Sequence, residues 1–177
     1  MQKPEIPKEI APDLVDRLRS RFGDFPVIQG WGLEIMAMAP GQATVNVQAT
    51  PRTTNPNGVT NGGILASLAD MASALALSTA FDGAMPFATS DLSIRYLEPA
   101  QGPVEAKAAV IRLSNRSAII SCELRAQGEM VALCTSHFAI KLKPQAGDVL
   151  LAMGDHSTLN ALVKVARGES RLASGIT

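Results

Sequence analysis

Asn61-Gly62-Gly63-Ile64-Leu65-Ala66-Ser67-Leu68-Ala69-Asp70-Met71-Ala72-Ser73-Ala74-Leu75-Ala76-Leu77-Ser78-Thr79-Ala80-Phe81 is a run of small and apolar residues that contains one ionisable group, Asp70. From Ile64 to Phe81 nothing breaks a helix, and a helix of this composition is hydrophobic almost all round, so it has to be buried. Its length alone would allow a membrane span. Against that stand Asp70 well inside it, the small size of its residues and the globular look of the flanking chain. The preceding segment, Thr53 to Gly63, is dense in Asn, Gly, Thr and Pro and reads as a loop.

On both sides of that helix the pattern becomes extended. Trp31 to Thr50 reads as two strands turning at Pro40-Gly41, with residues 44–48 in alternation. Four more strands are expected over Ala88 to Leu97, Val104 to Leu113, Ser117 to Ala126 and Met130 to Lys141. Turns at 99–103, 114–116 and 127–128 separate them, so consecutive strands are expected to pair antiparallel. Near the start, Ile10, Leu14, Leu18 and Phe22 recur at intervals of four, with Pro12 early and Gly23 just past the end, predicting a helix over residues 8–22. Beyond Pro144, Leu159, Leu162, Val163 and Ala166 have helical spacing, with Asp155 or Ser157 as N-cap. Residues 1–29 are thus read as a helical extension, 30–143 as the main domain and 144–177 as a tail with one more helix. A helix apolar around its circumference needs a sheet wide enough to curl about it. The expected class is α+β, an antiparallel sheet wrapped around one long buried helix, the hotdog arrangement.

The chain of 177 residues is long enough to bury one core, and its 16 basic and 16 acidic residues leave no net charge. There is no global positive field for nucleic acid or an anionic membrane. Cys122 and Cys134 lie in apolar strands without metal-ligand or disulfide spacing and are expected to be free buried thiols. Met1-Gln2-Lys3-Pro4-Glu5 does not resemble a secretory leader, so a cytoplasmic location is expected. Asn115-Arg116-Ser117 reads as a hairpin turn rather than a glycosylation site.

The candidate chemistry gathers around the long helix. Gly62 and Gly63 leave its first backbone N–H groups open to close approach, where the helix dipole adds partial positive charge. An oxyanion donor at such a place is worth about 3 kcal/mol. A carboxylate on an apolar helix costs free energy unless it is partnered or used, and burial would raise the pKa of Asp70 toward that of a working base. The alternative is an Asp70 that merely pairs with an arginine or caps a neighbouring element. Ser67 lacks a nucleophile elbow. His137 reads as an ordinary strand residue, His156 beside Asp155 as part of a helix cap, and Arg95, Arg112 and Arg116 as solvated strand cations that could also meet phosphates.

The segment Asn55 to Asp70, with Gly62-Gly63 and Leu68-Ala69-Asp70, resembles the PaaI-type acyl-CoA thioesterases of the hotdog superfamily, which carry an Asn, then His-Gly-Gly, then Leu-Ala-Asp in the long helix. Thr89-Ser90-Asp91-Leu92-Ser93-Ile94-Arg95-Tyr96-Leu97-Glu98-Pro99-Ala100 is similar to the strand that follows in the family, and the likeness spans residues 30–143. The resemblance implies hydrolysis of an acyl-CoA to free acid and CoA, with no metal and no cofactor beyond the CoA of the substrate. It implies Asp70 as base or nucleophile, the Gly62 N–H with that of Gly63 on the thioester oxygen, and Asn55 orienting water or carbonyl. Thr89 or Ser90 would lend a hydroxyl from the partner subunit of a homodimer or a dimer of dimers. Asn61 stands where the family has His; it is a strong N-cap and can donate to substrate, but it cannot titrate. That substitution keeps open a non-catalytic acyl-CoA-binding protein, and the fold keeps open a hydratase or dehydratase.

Overall fold

The computed structural model describes residues 4–81 and 87–140. Two short helices come first, α1 (Pro12–Gly23) and α2 (Pro26–Trp31), then strands β1 (Leu33–Ala39) and β2 (Gln42–Val47) and the long helix α3 (Gly62–Thr79). Four strands follow, β3 (Phe87–Tyr96), β4 (Val104–Leu113), β5 (Ser117–Ala126) and β6 (Glu129–Ile140). The helix expected in the tail, with Asp155, His156 and Ser157, lies outside the described residues.

All six strands form one antiparallel sheet in the order β1-β2-β4-β5-β6-β3. The expectation that consecutive strands pair therefore fails once. Strand β3 pairs with β6, not β4, and the Pro99 to Pro103 segment is a crossover from the edge strand β3 to the interior strand β4 rather than a hairpin turn. The reason lies in α3, which packs against β2, β4 and β5, so β4 seats beside β2 and β3 is left to close the far side.

Alternation along each strand directs one face to α3. Ala43, Val45 and Val47 of β2, Val104, Ala106 and Ala108 of β4, and Ile120, Cys122 and Leu124 of β5 are buried there. The many alanines let the helix lie close to the sheet, and Leu68, Ala69, Ala72, Ala76 and Leu77 of α3 are fully buried in return. This accounts for a helix long and apolar enough to cross a membrane on length and composition alone. Register shifts in β1, β3, β4 and β6 bend the sheet around it. The exposed Met36 and Ile111 are the residues skipped in β1 and β4.

The N-terminal extension is part of the same core through Leu14, Leu18, Phe22 and Ile28. Helix α1 begins at Pro12 and not at residue 8, because a proline restricts its predecessor to extended backbone, as Ala11 is (ψ 134°), and favours the first helical turn for itself. Helix α2, which the sequence did not suggest, ends at Gly32 with φ +64°. Cys122 and Cys134 face each other across β5 and β6 as free buried thiols, as expected.

The C-terminal end of α3 is anchored by one hydroxyl. Thr79 Oγ1 accepts from the Gly41 N–H at 2.9 Å, and its proton is shared between the carbonyls of Ala39 (2.9 Å) and Ala76 (2.8 Å). Thr79→Val keeps the shape but strands the Gly41 donor, so urea unfolding should show a loss of about 1–3 kcal/mol with an unchanged m-value.

Candidate active site

The loop ahead of α3 is locked by its own backbone and threonines. Thr53 Oγ1 donates to the Gln48 carbonyl at 2.7 Å, the Asn61 N–H donates to the Thr53 carbonyl at 2.8 Å, and the Thr60 N–H reaches the Ala100 carbonyl at 2.9 Å. Asn61 is thereby held extended as the N-cap, and its Oδ1 accepts from the Gly63 N–H at 2.8 Å. The helix consequently starts at Gly62, two residues before the run that predicted it. Capping also engages the Gly63 N–H, leaving Gly62 as the glycine whose N–H has no acceptor among the described residues.

Gly62 is packed as well as open. The Tyr96 hydroxyl donates to the Gly62 carbonyl at 2.8 Å, and a Cβ on Gly62 would lie 3.3 Å from the Tyr96 Cζ. Reading the sequence alone missed Tyr96, the chain's single tyrosine, because nothing in its own strand reveals that β3 ends beside the start of α3. Asn55 Oδ1 accepts from the N–H groups of Asn57 (2.9 Å) and Val59 (3.4 Å), a turn-closing role, while its Nδ2 has no partner among the described residues.

Asp70 lies half-buried on α3, and the Thr89 hydroxyl donates to its Oδ1 at 2.8 Å. No Lys, Arg or His makes an ion pair with it among the described residues, so the structural alternative of an arginine-bound Asp70 is not what the fold builds. Burial pushes the carboxyl above its ordinary value, and the Thr89 hydrogen bond offsets part of that rise. Thr89 belongs to the same chain, whereas its hydroxyl was expected from a partner. Ser90 turns elsewhere and donates to the His137 carbonyl at 3.1 Å. His137 itself is exposed on the sheet face away from α3. Behind Asp70 the buried Ser136 donates to Ser73 at 3.2 Å, and burial raises the thiols of Cys134 and Cys122, which suits packing and not nucleophilic attack. No cluster of metal-ligating side chains occurs among the described residues.

The sequence model of the thioesterase superfamily matches residues 57–133, which include Gly62, Asp70 and Thr89. A protein of Saccharolobus solfataricus, provisionally named an esterase, is 30% identical over 117 residues, covering 64% of this chain and 83% of that one. The phenylacetic acid degradation protein PaaI of Thermus thermophilus, solved as a mutant, is 32% identical with TM-score 0.60, covering 65% of this chain and 98% of the other. A Haemophilus influenzae thioesterase has the same fold with TM-score 0.71 at 20% identity, over 79% of this chain and 99% of its own. This chain belongs to the hotdog-fold thioesterase superfamily, among its PaaI-like members.

The raised Asp70 pKa has a sign that stability measurements can read. Between its ordinary and its native value the folded state binds the extra proton, so stability falls as pH rises through that window and stays lower above it. Asp70→Asn should therefore melt above the wild type at pH 7, with the gap closing as pH drops below the ordinary carboxylate range. A gap independent of pH would mean that the Asp70 charge is not what burial penalises.

Proposed function

We propose that this protein hydrolyses an acyl-CoA thioester to free acid and CoA, in sites shared by two copies of the chain, without metal or redox cofactor, in the cytoplasm. The observation that carries this reading is the spacing along α3. Asp70 stands eight residues after Gly62, about 12 Å along a helix that rises about 1.5 Å per residue. A carboxylate acting on a thioester and a donor holding its oxygen must both lie within about 3 Å of one carbonyl group. One helix cannot supply both, so the donor serving Asp70 comes from the Gly62 of a second copy.

The surface of α3 supports the same arrangement. Ala66, Ser67, Asp70, Met71 and Ala74 form a half-buried stripe that its own sheet does not cover, although the helix is apolar nearly all round. A partner laid on this stripe would bury the remaining apolar surface and desolvate Asp70 further. Both are served by a homodimer, with a dimer of dimers as the larger form. In such a site the Gly62 N–H and the positive end of its helix receive the charge that develops on the thioester oxygen. Asp70 activates the attacking water or itself attacks the carbonyl, Thr89 holds the carboxylate, and the free amide nitrogen of Asn55 orients water or carbonyl. Asn61, occupied as a cap and unable to titrate, serves by fixing the start of the helix.

A binding protein that retains acyl-CoA without turning it over is favoured by one observation, Asn61 in place of the family histidine. Release of free thiol separates the two readings. Asp70→Asn should lower turnover by roughly a hundredfold to ten-thousandfold while acyl-CoA still binds. Gly62→Pro deletes the donor at the first helical position, where proline is tolerated, and should cost roughly a hundredfold to a thousandfold. Sedimentation of the active enzyme should show at least a dimer, and a fully active monomer would overturn the shared site.

A further inference from the structure

Strand β3 carries its residues in an order that simple alternation cannot reconcile. On β6 the residues facing α3 are Ala132, Cys134, Ser136 and Phe138, all buried. Their partners on β3 are Tyr96, Ile94, Leu92 and Thr89. Leu92 and Thr89 are three apart, so a strict repeat of two would place them on opposite faces. They share a face because the register skips Ser90: Thr89 pairs with Phe138, Asp91 with His137, and Ser90 is the extra residue of a bulge. Its hydroxyl donates to the His137 carbonyl at 3.1 Å, tying the inserted residue to the neighbouring strand. On the other side of the bulge the Thr89 hydroxyl meets Asp70 at 2.8 Å.

We propose that Ser90 is a positioning residue: the bulge it makes, and the hydrogen bond that pins the bulge, aim the Thr89 hydroxyl at the Asp70 carboxylate and so govern its protonation. Without the bulge Leu92, Ile94 and Tyr96 could still face the helix, but Ser90 would take the inward place opposite Phe138 and Thr89 would turn outward. The other ionisable groups on the elements around Asp70 do not duplicate this control. Cys134 on β6 is a buried thiol that stays neutral where a carboxyl titrates, and Asp91 and His137 pair across β3 and β6 on the face away from α3. Ser73 and Ser136 are neutral hydroxyls bonded to each other.

The inference rests on the reading of Asp70 as the working carboxylate, and its test needs no substrate. The Asp70 carboxyl carbon is followed by NMR against pH in the wild type, Thr89→Val, Ser90→Ala and Ser90→Thr. Loss of a hydrogen bond to the charged form should raise the Asp70 midpoint by about one unit in Thr89→Val. Ser90→Ala should raise it in the same direction by at least about 0.3 unit, and Ser90→Thr, which keeps a hydroxyl in the bulge, should restore it. The acid limb of kcat/KM should move with the midpoint while KM changes little. A Ser90→Ala midpoint at the wild-type value overturns the proposal. If Ser90→Ala does not fold, Ser90→Gly, which removes the hydroxyl and suits bulged backbone, is held to the same outcome. A Ser90-dependent midpoint in a wild-type protein that releases no thiol would overturn the proposed function and leave this inference standing. An active enzyme whose Asp70 titration ignores Ser90 would do the reverse.

Discussion

Burial of one apolar helix that carries one carboxylate is the constraint from which the remaining structure follows. Helix α3 has too much apolar surface to lie on a flat sheet, so the sheet bends around it, using register shifts in four of its six strands and small side chains on the inner face. Asp70 sits half-buried at the margin of that packing, and desolvation raises its pKa. Packing and chemistry are in this sense one design. The residues that make the helix buryable also raise the pKa of its single carboxyl.

Strand β3 links the two ends of that design. Through Tyr96 it holds the Gly62 carbonyl at the start of α3, and through Thr89 it holds the Asp70 carboxylate two turns further on. Neither contact is a large contribution to stability, since hydrogen bonds at exposed positions have small net worth. Their effect is to fix direction. The donor and the carboxylate point as they do because an edge strand of the sheet runs beside the helix and touches it at both places.

Much of this was legible in the sequence. The long helix, the strand boundaries from Val104 onward and the roles of Asn61 as cap and of Gly62 as an open donor follow from local rules, because apolar period, turn residues and caps act over a few residues. What was not legible depends on contacts distant in the chain. The pairing of β3 with β6 could not be read from turn positions, since a crossover and a hairpin share the same Pro and Gly vocabulary. The Tyr96 contact to Gly62 follows from that pairing, and so does the phase of Thr89, because the polar run Thr89-Ser90-Asp91 does not say which of its residues is the inserted one. Helix α1 starts at Pro12 because proline holds Ala11 extended, which outweighs the apolar spacing that reaches back to Ile10.

The central claim is that Asp70 works with the Gly62 of another copy, and subunit mixing tests it most directly. Asp70→Asn and Gly62→Pro chains, each nearly inactive alone, would be dissociated together, reassociated in equal amounts and assayed for thiol release. A mixed dimer then contains one site with an intact carboxylate facing an intact donor. Random pairing makes half of the dimers mixed, so the mixture should regain about a quarter of wild-type activity. A mixture that forms mixed dimers yet stays as inactive as its components would contradict the shared site.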